Sequence, residues 1–114
     1  MTTEITISPA GSLCTVRAGG AILGESRAAL ILQEGNMDPV IYFPAADIAT
    51  AFLDDSDTTS HCPHKGDARY YSIQTKSTVI EDAAWSYETP HENVAEIAGH
   101  IAFFSSEKVT VEKL

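Results

Sequence analysis

Apolar residues in this chain arrive in short runs of strand period, separated by turn residues, and only two segments switch to helical period. Glu4–Ser8 alternates Ile5 and Ile7 with polar neighbours and stops at Pro9-Ala10-Gly11-Ser12. In Leu13–Ala18, Cys14, Val16 and Ala18 share one face, and Gly19-Gly20 turns the chain. Ala28–Gln33 is a nearly continuous apolar run, as in a strand covered on both sides. The turn-rich Gly35–Pro39 then leads into Val40–Phe43. Ala68–Thr75 and Thr78–Tyr87 read as longer strands joined near Lys76-Ser77, and Ile101–Phe104 and Lys108–Glu112 complete the set.

The helical exceptions are short. Pro44 suits the first position of a helix over Pro44–Leu53, with Ile48, Ala51 and Phe52 at helical spacing and Asp47 in the first turn. Pro90 opens a second, with Val94, Ile97 and Ala98 on one face and Gly99 as its stop. The polar stretch Asp54–Ser60 reads as a loop. The fold class that follows is mostly β and antiparallel, with one or two short peripheral helices.

A length of 114 residues fits one domain, spanning 1–114. The formal charge, 7 − 16 = −9 with histidine neutral, repels phosphate backbones. The seven basic residues are scattered, so the expectation is no nucleic acid. No apolar run approaches the ~20 residues needed to span a bilayer. Met1–Glu4 lacks the basic patch and apolar stretch of a signal peptide. The chain is therefore expected to be cytoplasmic and free of the membrane, with Cys14 and Cys62 as reduced thiols.

Two segments carry the most distinctive chemistry. In Cys62-Pro63-His64-Lys65-Gly66, the proline pushes Cys62 toward an extended backbone and the glycine permits a sharp turn. Such a turn presents a thiolate whose pKa Lys65 or a protonated His64 would lower, or it simply packs Cys62 as a small hydrophobe. His61, Cys62 and His64 lack the paired spacing of a zinc site, so no metal is expected. Lys65-Gly66 lacks the upstream glycines of a phosphate loop. In Ala84-Trp85-Ser86-Tyr87, Trp85 and Tyr87 share a strand face, where two rings either stack a planar ligand, surround a cation, or fill a core. Tyr70 and Tyr71 must face opposite sides of their strand, placing one at a surface or cleft. His100, just after Gly99, reads either as a base or as a cap on helix-end carbonyls. There is no Gly-x-Ser-x-Gly elbow, and the paired carboxylates Asp54-Asp55 and Glu81-Asp82 read as solvated charges.

Taken together, Gly24–Arg27, Tyr42-Phe43-Pro44 with Asp47, Thr58-Thr59, Cys62-Pro63-x-Lys65-Gly66-x-Ala68-x-Tyr70, Ala84-Trp85-Ser86-Tyr87-x-x-Pro90 and Ile101-Ala102-Phe103 resemble the family known as domain of unknown function 427. Glu25 departs from the aspartate expected there. The resemblance implies a β-tent-like fold, with two antiparallel sheets packed at an angle. Zinc-holding relatives of that fold use paired Cys-x-x-Cys knuckles, which this chain lacks. The family is sometimes labelled nucleotidyltransferase-like, but no Gly-Ser followed by a paired acidic motif is present.

The reading that follows is a small-molecule-binding module without a cofactor, its cleft lined by Arg27, Tyr42, Cys62, Lys65, Tyr70, Trp85 and Tyr87, with Lys65 or Arg27 holding an anionic group. The alternatives are an enzyme using Cys62 as nucleophile or redox centre, with Lys65 or His64 tuning it, and a protein-interaction domain without chemistry. Fold analogy alone does not choose among them.

Overall fold

A computed structural model of the chain describes residues 4–114. The ten strands are β1 (Ile5–Pro9), β2 (Cys14–Ala18), β3 (Ala21–Ser26), β4 (Leu30–Glu34), β5 (Val40–Pro44), β6 (Leu53–Cys62), β7 (Gly66–Gln74), β8 (Val79–Ser86), β9 (His100–Phe103) and β10 (Val109–Lys113). They form a seven-stranded sheet in the order β1-β4-β5-β9-β8-β7-β6 and a three-stranded sheet in the order β10-β2-β3. Every pairing is antiparallel. The fold is thus mostly β with two antiparallel sheets, as the punctuation of the sequence requires. No helix among the described residues is long and apolar enough to cross a membrane.

Strand alternation gives the large sheet two differently furnished faces. On one face Phe43, Ile73, Ala84, Ile101 and Phe103 meet Cys14, Val16, Ala18, Leu23 and Val109 of the small sheet, forming the core between the sheets. The two phenylalanine rings pack edge to face, with centroids 5.9 Å apart. On the other face Leu32, Tyr42, Ala68 and Ala102 form a second cluster with Tyr87, Val94 and Ile97. Adjacent residues therefore serve opposite cores. Phe43 faces the small sheet and Tyr42 the second cluster, and Tyr71 and Tyr70 divide in the same way.

Neither expected helix forms as an α-helix. Over 44–53 the chain makes two 3-10 turns, Ala45–Asp47 and Thr50–Phe52, separated by an extended Ile48. Ile48 bridges Gly24 of β3 in antiparallel fashion, and Ala49 N–H donates to the Leu23 carbonyl at 2.8 Å. Pairing with a strand thus outcompetes continuation of a helix, and Ile48 enters the core at 6% exposure. Asp47 does not cap a helix dipole; it accepts the Ser26 hydroxyl at 2.6 Å. The segment after Pro90 is the 3-10 stretch Glu92–Ile97, broken at Val94 (φ −126°). Val94 and Ile97 are buried as expected, but Ala98 is exposed.

The expected loop Asp54–Ser60 is part of strand β6, which pairs only with β7 and so forms an edge. Its acidic residues Asp54, Asp55 and Asp57 suit an edge that must not recruit another strand. A register shift between Asp55 and Thr59 lifts Ser56 and Thr58 toward Asp82, whose carboxylate accepts both hydroxyls, at 2.5 and 2.8 Å. These two bonds hold the Asp82 carboxyl below its ordinary pKa. Asp82 itself sits at φ 50°, where β8 is irregular against β7.

Candidate functional site

The second face of the large sheet is only partly covered, and the gap is a cavity of about 230 Å³. Its walls come from β4 and β5 (Leu32, Glu34, Val40, Tyr42), the β4–β5 turn (Met37, Asp38), Tyr70 of β7, Trp85 of β8, and Tyr87 and Phe104 just beyond β8 and β9. The β6–β7 turn contributes Lys65. Tyr70 stands directly opposite Trp85, and Trp85 opposite Ala102, so the register of the sheet sets the aromatic wall. Phe104 completes it. Its ring lies 4.3 Å from that of Trp85 and stacks on that of Tyr70 at 6.2 Å with 11° between planes. Tyr42 meets Trp85 edge on at 6.3 Å, and the Trp85 indole N–H donates to the Tyr42 hydroxyl at 3.3 Å.

The Cys62–Gly66 segment forms the turn that delivers Lys65. Lys65 N–H donates to the Cys62 carbonyl at 3.2 Å, and the Lys65 carbonyl accepts His91 N–H at 2.9 Å. This second bond joins the turn to the segment that follows Tyr87. Gly66 has φ +116° and lies close to the backbone of Thr89 and Pro90, so a side chain there would be strained. The two distinctive sequence segments are therefore neighbours through backbone bonds.

Lys65 donates to Glu34 Oε1 at 2.6 Å, with the two side chains only 13% and 12% exposed. Burial opposes the Lys65 charge. Glu34 and the neighbouring Tyr87 and Cys62 outweigh it, so the ammonium titrates above its ordinary range. Tyr42 is raised, chiefly by burial. Burial likewise pushes Tyr87 up to about 12, against the pull of Lys65. Both phenols are thus neutral donors at physiological pH.

Tyr87 differs from Tyr42 and Tyr71. It is 6% exposed, yet its hydroxyl has no hydrogen-bond partner among the described residues. Tyr42 receives Trp85, and the Tyr71 hydroxyl pairs with Ser86 Oγ at 3.0 Å. Ser12 Oγ is the one described side-chain polar atom that is both sealed from solvent and unpartnered. The Tyr87 hydroxyl is therefore reachable, and the wall it stands in is that of the cavity.

A model of the family described as Domain of unknown function (DUF427) matches residues 6–113. The chain belongs to that family. No curated protein matches it. In this DUF427 chain, five of the seven residues singled out from the sequence, namely Tyr42, Lys65, Tyr70, Trp85 and Tyr87, line one cavity. Cys62 is half-buried beside them in the second cluster, as a free thiol. Arg27 is exposed in the bend after β3 and takes no part in the lining. Neither cation named for an anionic group is placed to hold one without competition, since Arg27 is elsewhere and Lys65 already has a carboxylate.

Sequence reasoning missed Glu34, Asp38 and Phe104. Glu34 offered one signal: a charge closing the apolar run Ala28–Gln33 just before Gly35. His100 takes the capping option, its Nδ1 lying 3.0 Å from the Ala98 carbonyl. His61 pairs with Asp67 at the surface. Among the described residues no cluster of three or more His, Cys, Asp or Glu side chains is placed to hold a metal. A wider hollow of about 540 Å³ runs along β6 and β7 over Thr59, Ser60, His61 and Asp67. These residues are exposed, and Arg69 beside them is tied to Asp55 and Glu88.

Proposed function

We propose that this domain is a small-molecule-binding module whose site is the Tyr42–Tyr70–Trp85–Phe104 cavity. The observation that carries the reading is the Tyr87 hydroxyl, set without a partner in an aromatic wall beside a buried ion pair. A few fixed polar groups in a largely apolar concavity are what orients a bound molecule. The volume lies below the ~300–1,000 Å³ of drug-sized sites, so the occupant is a compact ring compound.

The charge balance favours a ligand without a full negative charge. Lys65 is neutralised by Glu34, and Asp38 adds a further carboxylate at the wall. The proton affinities favour binding over acid–base catalysis, because Lys65, Tyr42 and Tyr87 all move away from neutrality. A thermal-shift screen of small aromatic and heterocyclic compounds tests the proposal, repeated on Trp85→Ala. The expected result is stabilisation by a subset of ring compounds that the variant loses. A screen in which no ring compound shifts the wild type would refute it.

A further inference from the structure

The polar groups left open in the cavity have an order that selects among ring compounds. Glu34 accepts Lys65 through Oε1, and its Oε2 has no donor among the described residues. An ammonium carries three N–H donors; Lys65 gives one to Glu34 and a second to the Cys62 side chain, which leaves a third. The Tyr87 hydroxyl, open to the cavity and without a protein partner among the described residues, adds a further donor on the same wall. A carboxylate, an ammonium and a phenol thus line one cavity together with ring faces. From this juxtaposition the geometry points to a planar ligand with an amide-type edge, a ring C=O next to a ring N–H. The carbonyl accepts from Tyr87 and Lys65, the N–H donates to Glu34, and the ring lies against Trp85 and Phe104.

This assignment rests on the binding role proposed above and narrows it. A bare aromatic ring satisfies the wall and leaves all three polar groups unmet. A carboxylate brings a third anion to Glu34 and Asp38, and an ammonium brings a second cation to Lys65. Of these groups, only an amide edge supplies one acceptor and one donor without net charge. Leaving a buried donor or acceptor unpaired is the costlier error, so the edge decides affinity more than the ring does.

The full chain, titrated with 2-pyridone and followed by the indole N–H resonance of Trp85, its single tryptophan, reads the site directly. Comparison compounds are 1-methyl-2-pyridone, which lacks the N–H, 4-methyl-2-pyridone, which adds the same bulk and keeps it, and benzene, benzoate and benzylammonium. The expected order has 2-pyridone and 4-methyl-2-pyridone binding about tenfold tighter than the others, the span of one or two hydrogen bonds. Tyr87→Phe, which removes an oxygen that no protein group uses, should weaken 2-pyridone by about tenfold or less, with benzene unchanged. Equal binding of 2-pyridone and benzene would leave the binding role standing and overturn the amide edge. So would equal binding of the two methyl isomers, or tighter binding of benzoate or benzylammonium. If no compound moves the Trp85 resonance, both readings fall together.

Discussion

Tyr87→Phe and Tyr71→Phe are the same chemical change on opposite faces of one sheet, and the structure assigns them different outcomes. Tyr71 loses its bond to Ser86 Oγ, 3.0 Å long and half-buried, and leaves a buried serine hydroxyl without its partner. One such bond plus the orphaned partner is worth about 1–2 kcal/mol. For a chain of this length, that lowers the midpoint of thermal unfolding by roughly 3–10 °C. Tyr87 has no bond to lose. Removing a hydroxyl that meets only solvent in the cavity should change stability by less than about 0.5 kcal/mol, or raise it by up to ~1 kcal/mol. Urea unfolding of both variants beside the wild type, followed by circular dichroism, gives the comparison directly, since unchanged slopes license a difference in midpoints. If Tyr87→Phe destabilises as much as Tyr71→Phe, its hydroxyl is bound within the fold. Such a result rules out a ligand-directed phenol.

Other consequences are sharper in sign than in size. Lys65→Met leaves Glu34 buried and uncompensated and should cost about 3 kcal/mol in urea unfolding, while adding Glu34→Met should recover most of it; a double variant as weak as the single one would show that the pair does not act as a unit. Alkaline unfolding follows from the raised proton affinities. Lys65 contributes stability that is complete below its ordinary pKa and is lost as pH rises through the higher folded value. Tyr87, at about 12 when folded against an ordinary 10, keeps a proton that the unfolded chain releases, so stability falls again over that interval, by about 2 kcal/mol. Denaturation midpoints that stay flat between pH 10 and 12 would contradict both. Gly24→Ala places a methyl group 2.4 Å from Ile48 Cδ1 and 2.7 Å from the Asp47 carbonyl, and should destabilise by about 1–3 kcal/mol in the same assay. Arg27→Ala should leave stability within ~0.5 kcal/mol and ring-compound binding unchanged, because the side chain is exposed and outside the cavity.

The parts of the fold legible in the sequence were those decided by local pattern. The period-two runs around Cys14–Ala18, Val40–Phe43 and Thr78–Tyr87 became strands because alternation needs only a covered face. The opposed placement of Tyr70 and Tyr71 followed from strand geometry alone. Failures came where a distant partner overruled the local pattern. Ile48 has helical neighbours in sequence and a strand partner in space, and β6 is poor in strand-forming residues yet pairs along β7. The site divides in the same manner. Trp85, Tyr87 and Lys65 announced themselves by residue type, whereas Glu34 reaches Lys65 across 31 positions and Phe104 joins the wall only because β9 lies beside β8.

The two faces of the large sheet also differ in how far they serve stability. The inner face is filled by Phe43, Phe103, Ile73, Ile101 and small residues, which bury apolar surface and need no polar partner. The outer face carries a lysine and a glutamate withdrawn from water, a tyrosine hydroxyl without a partner, and a tryptophan and phenylalanine left partly open. The ion pair and the unmet hydroxyl each have substitutes that commonly stabilise as well or better. Well-packed apolar residues commonly equal or exceed a buried ion pair, and phenylalanine would do the packing of Tyr87 without an unmet donor. One such feature is ordinary in a protein that sits only just above its stability threshold. Their convergence on a single 230 Å³ hollow is not explained by packing, because the same sheet packs its other face without them. Departures from local stability rules gather where a second requirement acts. Here the groups that depart are donors, acceptors and ring faces lining the same space, the pattern that the proposed binding role would require.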